Sequence, residues 1–518
     1  MKEEAVEEVQ EKPVNPYVVA FSMMLPTFFA MVATSGTNVC LPYIAGYYGA
    51  TQYESNTVIT SYMISNGIML PMTGWLLRTF GKVRLINGCI ITFMLGSFLC
   101  IISPNLMTLI LSRLIQGVGG GALMPLCQSI LLEAFPQKRG TAMGLFGFAV
   151  ILAPLIGPLL GGFLTENYSW QWVFIVNLPF CFISVILVKL FIKENFKPSK
   201  KKIDFDIVGF SAIILWLGSM QVVLDKGEQF NWFDETWVCW LTGFSVFAMI
   251  FFIVWELEYK KPFVNIRVLK NVNFICGTTI AAVVNIMLYS SILLVPQFVQ
   301  SLLGYNAYLS GLSVFPRVIS CAVMLPIVGK LADVVDNRIL IAIGLFILGS
   351  TTFMFSNMTL ETSLECVQLI NLLFGFGIAF TFIPVSAISF ATLSKRKTPD
   401  GAGLQSLFKC SITAIATSVS TTFIMRVSQV HQTYLTHNLG VTDLQFYTRL
   451  AMFKAKFMTY FAPYLAQKKA YILLYKQLLK QARLSAFYDA FLVLSLVAFI
   501  AIPLILLLKN KRKPLTHL

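Results

Sequence analysis

The sequence predicts an all-α polytopic membrane protein, and three observations carry that expectation. Hydrophobic residues fill 57% of the 518 positions and charged ones only 12%, with a mean hydropathy of +0.74; soluble domains carry about 25% charged residues. Apolar runs long enough to cross a bilayer follow one another from Pro16 almost to the C-terminus. The Lys and Arg between these runs fall mainly in alternate connectors, the pattern that marks cytoplasmic loops.

The chain opens on MKEEAVEEVQEK, which is acidic. A cleaved leader would start basic and end in small residues, so the first apolar run is expected to be retained. Spans one and two cover about residues 17–39 and 56–77. The connector between them has no Lys or Arg, whereas the next carries Arg78, Lys82 and Arg84. The first connector is therefore expected outside, the second inside, and the N-terminus inside. Span three runs to about residue 102 and span four from about 106 to 132, with Lys138 and Arg139 marking the inside again.

Span five contains GFAVILAPLIGPLLGG, residues 147–162, with Pro154, Pro158, Gly147, Gly157, Gly161 and Gly162 and no charge. Pro158 removes a helix hydrogen bond and crowds the carbonyl four residues back, which a bilayer segment tolerates when neighbouring helices satisfy the freed groups. Gly157 and Gly161 lie one turn apart and leave a smooth face for close helix approach. That face is expected at the seam between the halves of a rocking transporter; simple small-residue packing is the alternative. Trp170 and Trp172 close this span at the outer interface. Span six ends near Phe191 and meets the basic linker KENFKPSKKKIDFD.

Two spans follow at about 207–224 and 236–255, joined by LDKGEQFNWFDE. Six more begin near Phe274, Leu309, Ile339, Val367, Leu404 and Phe487. Lys330 and Arg338, then Lys395, Arg396 and Lys397, then KNKRK fall inside by alternation. The expected total is about fourteen spans with both termini cytoplasmic. The expected organisation is a cytoplasmic tail at 1–16, a six-helix bundle at 17–192, a cytoplasmic linker at 193–206 and two inserted helices at 207–258. A second six-helix bundle follows at 270–508, then a cytoplasmic tail at 509–518. Residues 428–484 form a long connector expected outside although it is basic, with Arg449, Lys454, Lys456, Lys468, Lys469, Lys476, Lys480 and Arg483 against Asp443. Long loops cross with little regard to charge. Its runs read as amphipathic helices able to lie on the outer leaflet or dock a partner, or as a solvated helical hairpin.

Other functional classes find little support. The ten cysteines are scattered singly with no CxxC, and His431, His437 and His517 lie outside the spans, so neither a metal site nor a cofactor is expected. The net charge of +15 is distributed as inside loops rather than as a nucleic-acid stripe. GxxxxGK[ST] is absent and no nucleophile–base pairing stands out, so no enzyme is expected.

The chain carries an internal repeat. GWLLRTFGKVRL at residues 74–85 follows span two, and GKLADVVDNRIL at 329–340 follows the tenth span. Each is a glycine, an apolar pair and a charged inside turn, as in transporters built from parallel halves. These motifs resemble the major facilitator superfamily, whose signature there is GxLaDrxGrkxxl. The second copy keeps Asp333 and Arg338; the first has Arg78 at the Asp position, which resembles the EmrB/QacA-type branch of fourteen-span drug:proton antiporters. SRLIQGVGGGALMP (112–125), APLIGPLLGG with NYSWQWVFIVNLP, SMQVVLDKGEQFNWF (219–233) and VPQFVQSLLGYNAYLSGLSVFPR (295–317) extend the resemblance along the chain. It implies two six-helix bundles with two inserted helices, and alternating access about a midplane site. It also implies proton-driven efflux of drugs from the bacterial inner membrane, with a periplasmic membrane-fusion adaptor and an outer-membrane channel as partners. Export of an endogenous metabolite such as a siderophore is the second reading; a scaffold or sensor that has lost transport is a third.

The candidate site residues follow. Arg113 sits inside an apolar span, where a charge costs about 2.5–3.5 kcal/mol and must face a polar cavity or pair with backbone oxygens. Gln116 shares its face. Asn38, Tyr62, Gln128, Asn285, Tyr289, Gln297 and Gln405 are polar residues within spans, candidate cavity lining or interhelical bonds. Gly74, Arg78, Gly81, Lys82 and Arg84 with Gly329, Asp333 and Arg338 are the implied cytoplasmic gate, and Pro154, Gly157, Pro158, Gly161 and Gly162 the implied antiporter motif. The family's first span reads LDxTIvNvALP and its Asp is the implied proton carrier; here VATSGTNVCLP places Ala33 there. The ionisable groups at depth are Arg113, Arg317 and Lys409, all basic. Cations without acids favour an anionic or weakly acidic amphipathic substrate; the alternative is that they pin helix breaks.

Overall fold

The computed structural model describes residues 15–192, 206–259, 264–394, 397–437 and 444–508. The expected terminal tails, almost all of the linker at 193–206, and Lys395 and Arg396 lie outside the described residues. Every regular element among the described residues is helical. The first bundle holds α1 (Pro16–Tyr48), α2 (Gln52–Phe80), α3 (Lys82–Ile101), α4 (Leu106–Gly121), α5 (Leu123–Ala134), α6 (Arg139–Asn167), α7 (Trp172–Ile175) and α8 (Asn177–Phe191). The inserted pair is α9 (Ile207–Lys226) and α10 (Thr236–Glu258). The second bundle holds α11 (Val272–Ser301), α12 (Ala307–Val334), α13 (Asn337–Ser356), α14 (Leu364–Ser389), α15 (Thr398–His437), α16 (Leu444–Met458) and α17 (Pro463–Ala501).

Among the described residues thirteen helices, counting α4–α5 as one, are long and apolar enough to cross a membrane. Helix α2 is as long but more polar, with Thr60, Ser61, Ser65 and Asn66 buried. Its polar side chains are sheltered by protein, because it packs between α4 and α15; the expectation of about fourteen spans counts it as one. Helix α6 runs unbroken through Pro154 and Pro158.

Helix α1 packs on α6, α2 on α4, α12 on α14 and α13 on α17 within the bundles; α6 on α12 and α2 on α15 join them. Helix α9 rests on α2 and α15, and its outer end is held to α15 where Ser418 Oγ donates to the Leu224 carbonyl at 2.9 Å. Trp232 Nε1 donates to Thr422 Oγ1 at 3.0 Å beside it. Helix α10 turns Trp240, Phe244, Phe247, Ile250 and Val254 outward, as a lipid-facing helix should.

One expectation needs correction. Gly157 and Gly161 do not face the other half. They seat α1 of their own bundle, Gly161 against the backbone of Gly36 and Gly157 against Ser35 and Val32. The seam between halves lies at the other end of α6, where Gly140 and Gly144 meet Gly329 of α12. The face with the fewest side chains could pack on either neighbour, and sequence does not say which. The connector at 428–484 is helical, as its sequence suggests, and is largely a continuation of the adjoining spans: α15 runs on to His437 and α17 starts at Pro463. The 39 residues of α17 rise about 58 Å against a hydrocarbon core of about 30 Å, so a helical hairpin stands clear of the bilayer. Its arms are tied by His431 Nε2 to Asp489 Oδ2 at 2.7 Å and by Gln432 Nε2 donating to Tyr475 Oη at 2.9 Å.

Candidate functional site: the junction between the bundles

At the end bearing the basic turns, polar contacts join the halves, among them two carboxylate latches and a hydrogen bond from Arg139 Nη1 of α6 to the Phe390 carbonyl at the end of α14. Arg78, in the last turn of α2, donates from Nη1 to Asp400 Oδ1 at 2.6 Å, in the first turn of α15. The Asp400 side chain is 7% exposed and that of Arg78 32%. Gly74 makes the approach possible, since a Cβ there would overlap the Asp400 carboxylate. The second latch has the opposite polarity. Asp333 of α12 accepts from Gly140 N at 2.7 Å, Thr141 N at 3.0 Å and Thr141 Oγ1 at 2.5 Å, so it caps the N-terminus of α6 from the other bundle. A carboxylate there meets both unpaired N–H groups and the positive end of the helix dipole. The remaining gate residues act within their own halves: Lys82 Nζ bonds Glu133 at 2.6 Å, Arg84 is exposed, Gly81 adopts φ +81° between α2 and α3, and the Arg338 amide is capped by Asp336.

Further along, Gln128 Nε2 of α5 donates to Gln405 Oε1 of α15 at 3.1 Å, joining the bundles through two buried amides. Phe146 of α6 stacks on Phe382 of α14 across the same junction at 6.3 Å. One turn beyond Gln405, the Lys409 ammonium lies 5.0 Å from the Phe382 ring centroid; the residue is 4% exposed and its Nζ has no hydrogen-bond partner among the described residues.

The two arginines sit elsewhere, each wholly buried in its own bundle. Arg113 donates from Nε to the Val58 carbonyl at 3.2 Å and from Nη1 to Gln116 Oε1 at 2.5 Å, over the Tyr62 ring at 4.4 Å; Gln116 in turn donates to Ser97. Arg317 donates to Ser291 Oγ at 2.8 Å and Asn371 Oδ1 at 2.5 Å, over the Phe374 ring at 4.2 Å. The repeat relates these sites. Gly117 of α4 abuts Tyr62 and Ser65 of α2, as Gly375 of α14 abuts Arg317 and Ser320 of α12. Each half thus places one guanidinium and one aromatic ring between the same pair of helices, with the guanidinium on opposite partners. Among the other lining candidates, Asn38 is exposed, Tyr289 and Gln297 are half-buried, and Asn285 bonds its own helix at Ala281.

The two latches and the parallel repeat are features of one transporter architecture. Residues 23–417 match the profile of the Major Facilitator Superfamily. The chain belongs to that superfamily. It is 32% identical to the multidrug export protein EmrB of Escherichia coli (strain K12) over 440 residues, covering 83% of this chain and 85% of that one. It is 30% identical to the fatty acid resistance protein FarB of Neisseria gonorrhoeae (80% and 82% covered). It is 27% identical to the lincomycin resistance protein LmrB of Bacillus subtilis (79% and 85%). The crystal structure of the human organic anion transporter MFSD10 (TETRAN) covers 96% of this chain and 100% of its own with a TM-score of 0.59 at 13% identity, a likeness of fold. The protein is thus a multi-pass membrane transporter.

Sequence reasoning missed Asp400, Thr141, Phe382 and Asp489. The first offered a clue: an acid in the first turn of a helix, opposite a basic turn, is a natural latch partner.

Proposed function

We propose that this transporter exports drugs and other amphipathic small molecules by alternating access from the bacterial inner membrane. The observation that carries the reading is the gathering of described polar contacts between the bundles in one half of the molecule. Arg78–Asp400, the Asp333 cap and Gln128–Gln405 all lie toward the basic turns. Such a closure, with parallel halves joined through smooth glycine faces, is what the outward-facing member of a rocking pair requires. The drug-export names of the relatives support the same reading.

Three finer points belong to the proposal. The substrate is anionic or weakly acidic, a reading supported by the basic character of the deep ionisable groups and by a relative named for fatty acid resistance. Energy comes from proton entry, routed through an end-located acid or the substrate's own carboxyl, since Ala33 stands where the family carries Asp. The hairpin of α15, α16 and α17 docks a periplasmic adaptor that leads to an outer-membrane channel; deleting residues 451–481 is expected to abolish adaptor co-purification while the transporter still folds. Export of a siderophore-like metabolite is the second reading, and a siderophore synthetase gene beside this one would favour it over an adjacent adaptor gene.

Expression of the full chain in a bacterium stripped of its own major exporters tests the core reading. Raised tolerance to amphipathic toxicants is the expected result; tolerance equal to the empty vector would remove it.

A further inference from the structure

We propose that Lys409 is the binding residue for the anionic head of the exported amphipath, and that Phe382 and Phe146 form the apolar surface beside it. This rests on the exporter reading and names the site within it.

The position is right for a transported group. Lys409 lies nine residues beyond Asp400 on α15, about 14 Å along the helix from the inner latch. That is close to half the hydrocarbon thickness of about 30 Å. The residue sits at the junction of the halves: Gln405, one turn back on the same face, bonds Gln128 of the first bundle, and Phe382 stacks on Phe146 of α6. Motion that opens the inner end must part both contacts, and it would bring the ammonium to the cytoplasmic face.

The chemistry is incomplete without an anion. Arg113 and Arg317 each hydrogen-bond through two of their three nitrogens inside one bundle, leaving only Arg113 Nη2 and Arg317 Nε without a partner among the described residues. Lys409 has three donors, a ring face at 5.0 Å and no hydrogen-bond partner among the described residues. Among the described residues no carboxylate pairs with it: Asp400 is engaged by Arg78, Glu133 by Lys82 and Asp489 by His431. A buried charge at this depth is costly and marks a pathway or a partner. An ammonium is a compact point charge without the planar fork of a guanidinium, and suits a single carboxylate, sulfonate or phosphate head over an apolar tail. The neighbouring aromatic rings supply the surface for that tail.

The test uses the full chain in proteoliposomes with two probes of equal tail length, dodecanoate and dodecyltrimethylammonium. Wild type is expected to export dodecanoate in preference. Lys409→Met is expected to lower the ratio of dodecanoate to cation flux by about tenfold or more, and Lys409→Arg to hold it within about threefold of wild type. A second readout needs no change at 409. With exposed Cys239 and Cys366 replaced by Ser, dodecanoate is expected to slow alkylation of half-buried Cys410, the next residue along; the cation is not. An unaltered flux ratio in folded Lys409→Met overturns the proposal, as does equal Cys410 alkylation with either probe. Export of the cation but not of dodecanoate by wild type overturns it while leaving the exporter reading standing. Export of neither removes both.

Discussion

Replacing Arg78 by Ala should shift the protein toward an inside-open state, and the size of the shift follows from the asymmetry of its ion pair. Asp400 is nearly buried and Arg78 is about one-third exposed. Removing one partner of a fully buried pair costs about 3–5 kcal/mol, because the other charge is left uncompensated. Exposure of Arg78 screens the pair, so about 1–2 kcal/mol is a fairer figure for the closed state. That is about a 5- to 30-fold change in the ratio of inside-closed to inside-open molecules. Asp400→Asn removes the other partner, but the Arg78 guanidinium can turn to water, so the cost should stay below about 1 kcal/mol. The exchange Arg78→Asp with Asp400→Arg should recover only part of the loss, because it moves a cation into the first turn of α15. Spin labels on cysteines placed at exposed Lys138 and Lys330, at the inner ends of α6 and α12, report the opening as a longer distance. Cys239 and Cys366 are the exposed native cysteines to remove beforehand. A wild-type distance distribution in Arg78→Ala, or a larger shift in Asp400→Asn than in Arg78→Ala, would refute the latch.

Three further outcomes are expected. Asp333→Ala removes an acceptor shared by three donors at the start of α6; it should weaken inside closure by about 1–2 kcal/mol and be read as the same distance shift, which Asp333→Glu should reduce. Gly161→Leu places a side chain against the Gly36 backbone, an overpacking that costs about 1–3 kcal/mol; the variant should reach the membrane and lose transport, and normal transport would mean that α1 can move aside. A cysteine in place of exposed Thr436, on the projecting part of α15, should react with a membrane-impermeant thiol reagent in intact spheroplasts; labelling confined to inverted vesicles would overturn the span count.

Much of the fold is legible in the sequence because bilayer burial leaves a strong local signal. Apolar length locates the long helices. Helix α2 is readable despite Thr60, Ser61 and Asn66, since its ends are marked by Glu54 and Arg78. The hairpin is legible as helix from its apolar residues, but Lys468, Lys469 and Lys476 set the start of α17 apart from the apolar span it continues, so the continuity of the two is not. The site is the least legible part. Arg78 and Asp400 are 322 positions apart, and nothing local pairs them. Arg113, Arg317 and Lys409 look alike as charges in apolar runs. Only packing separates two guanidiniums engaged within bundles from one unpartnered ammonium between them.

The central claim is that the two bundles move an amphipath outward across the membrane. The most direct measurement is uptake of an amphipathic probe into inverted membrane vesicles containing the full chain, with and without an imposed proton gradient. Accumulation against the probe's own gradient, dependent on the imposed gradient and abolished by a lock made with a bifunctional thiol crosslinker between Lys138→Cys and Lys330→Cys across the seam, is the predicted result. Uptake indistinguishable from vesicles without the protein, or undiminished by the lock, would contradict it.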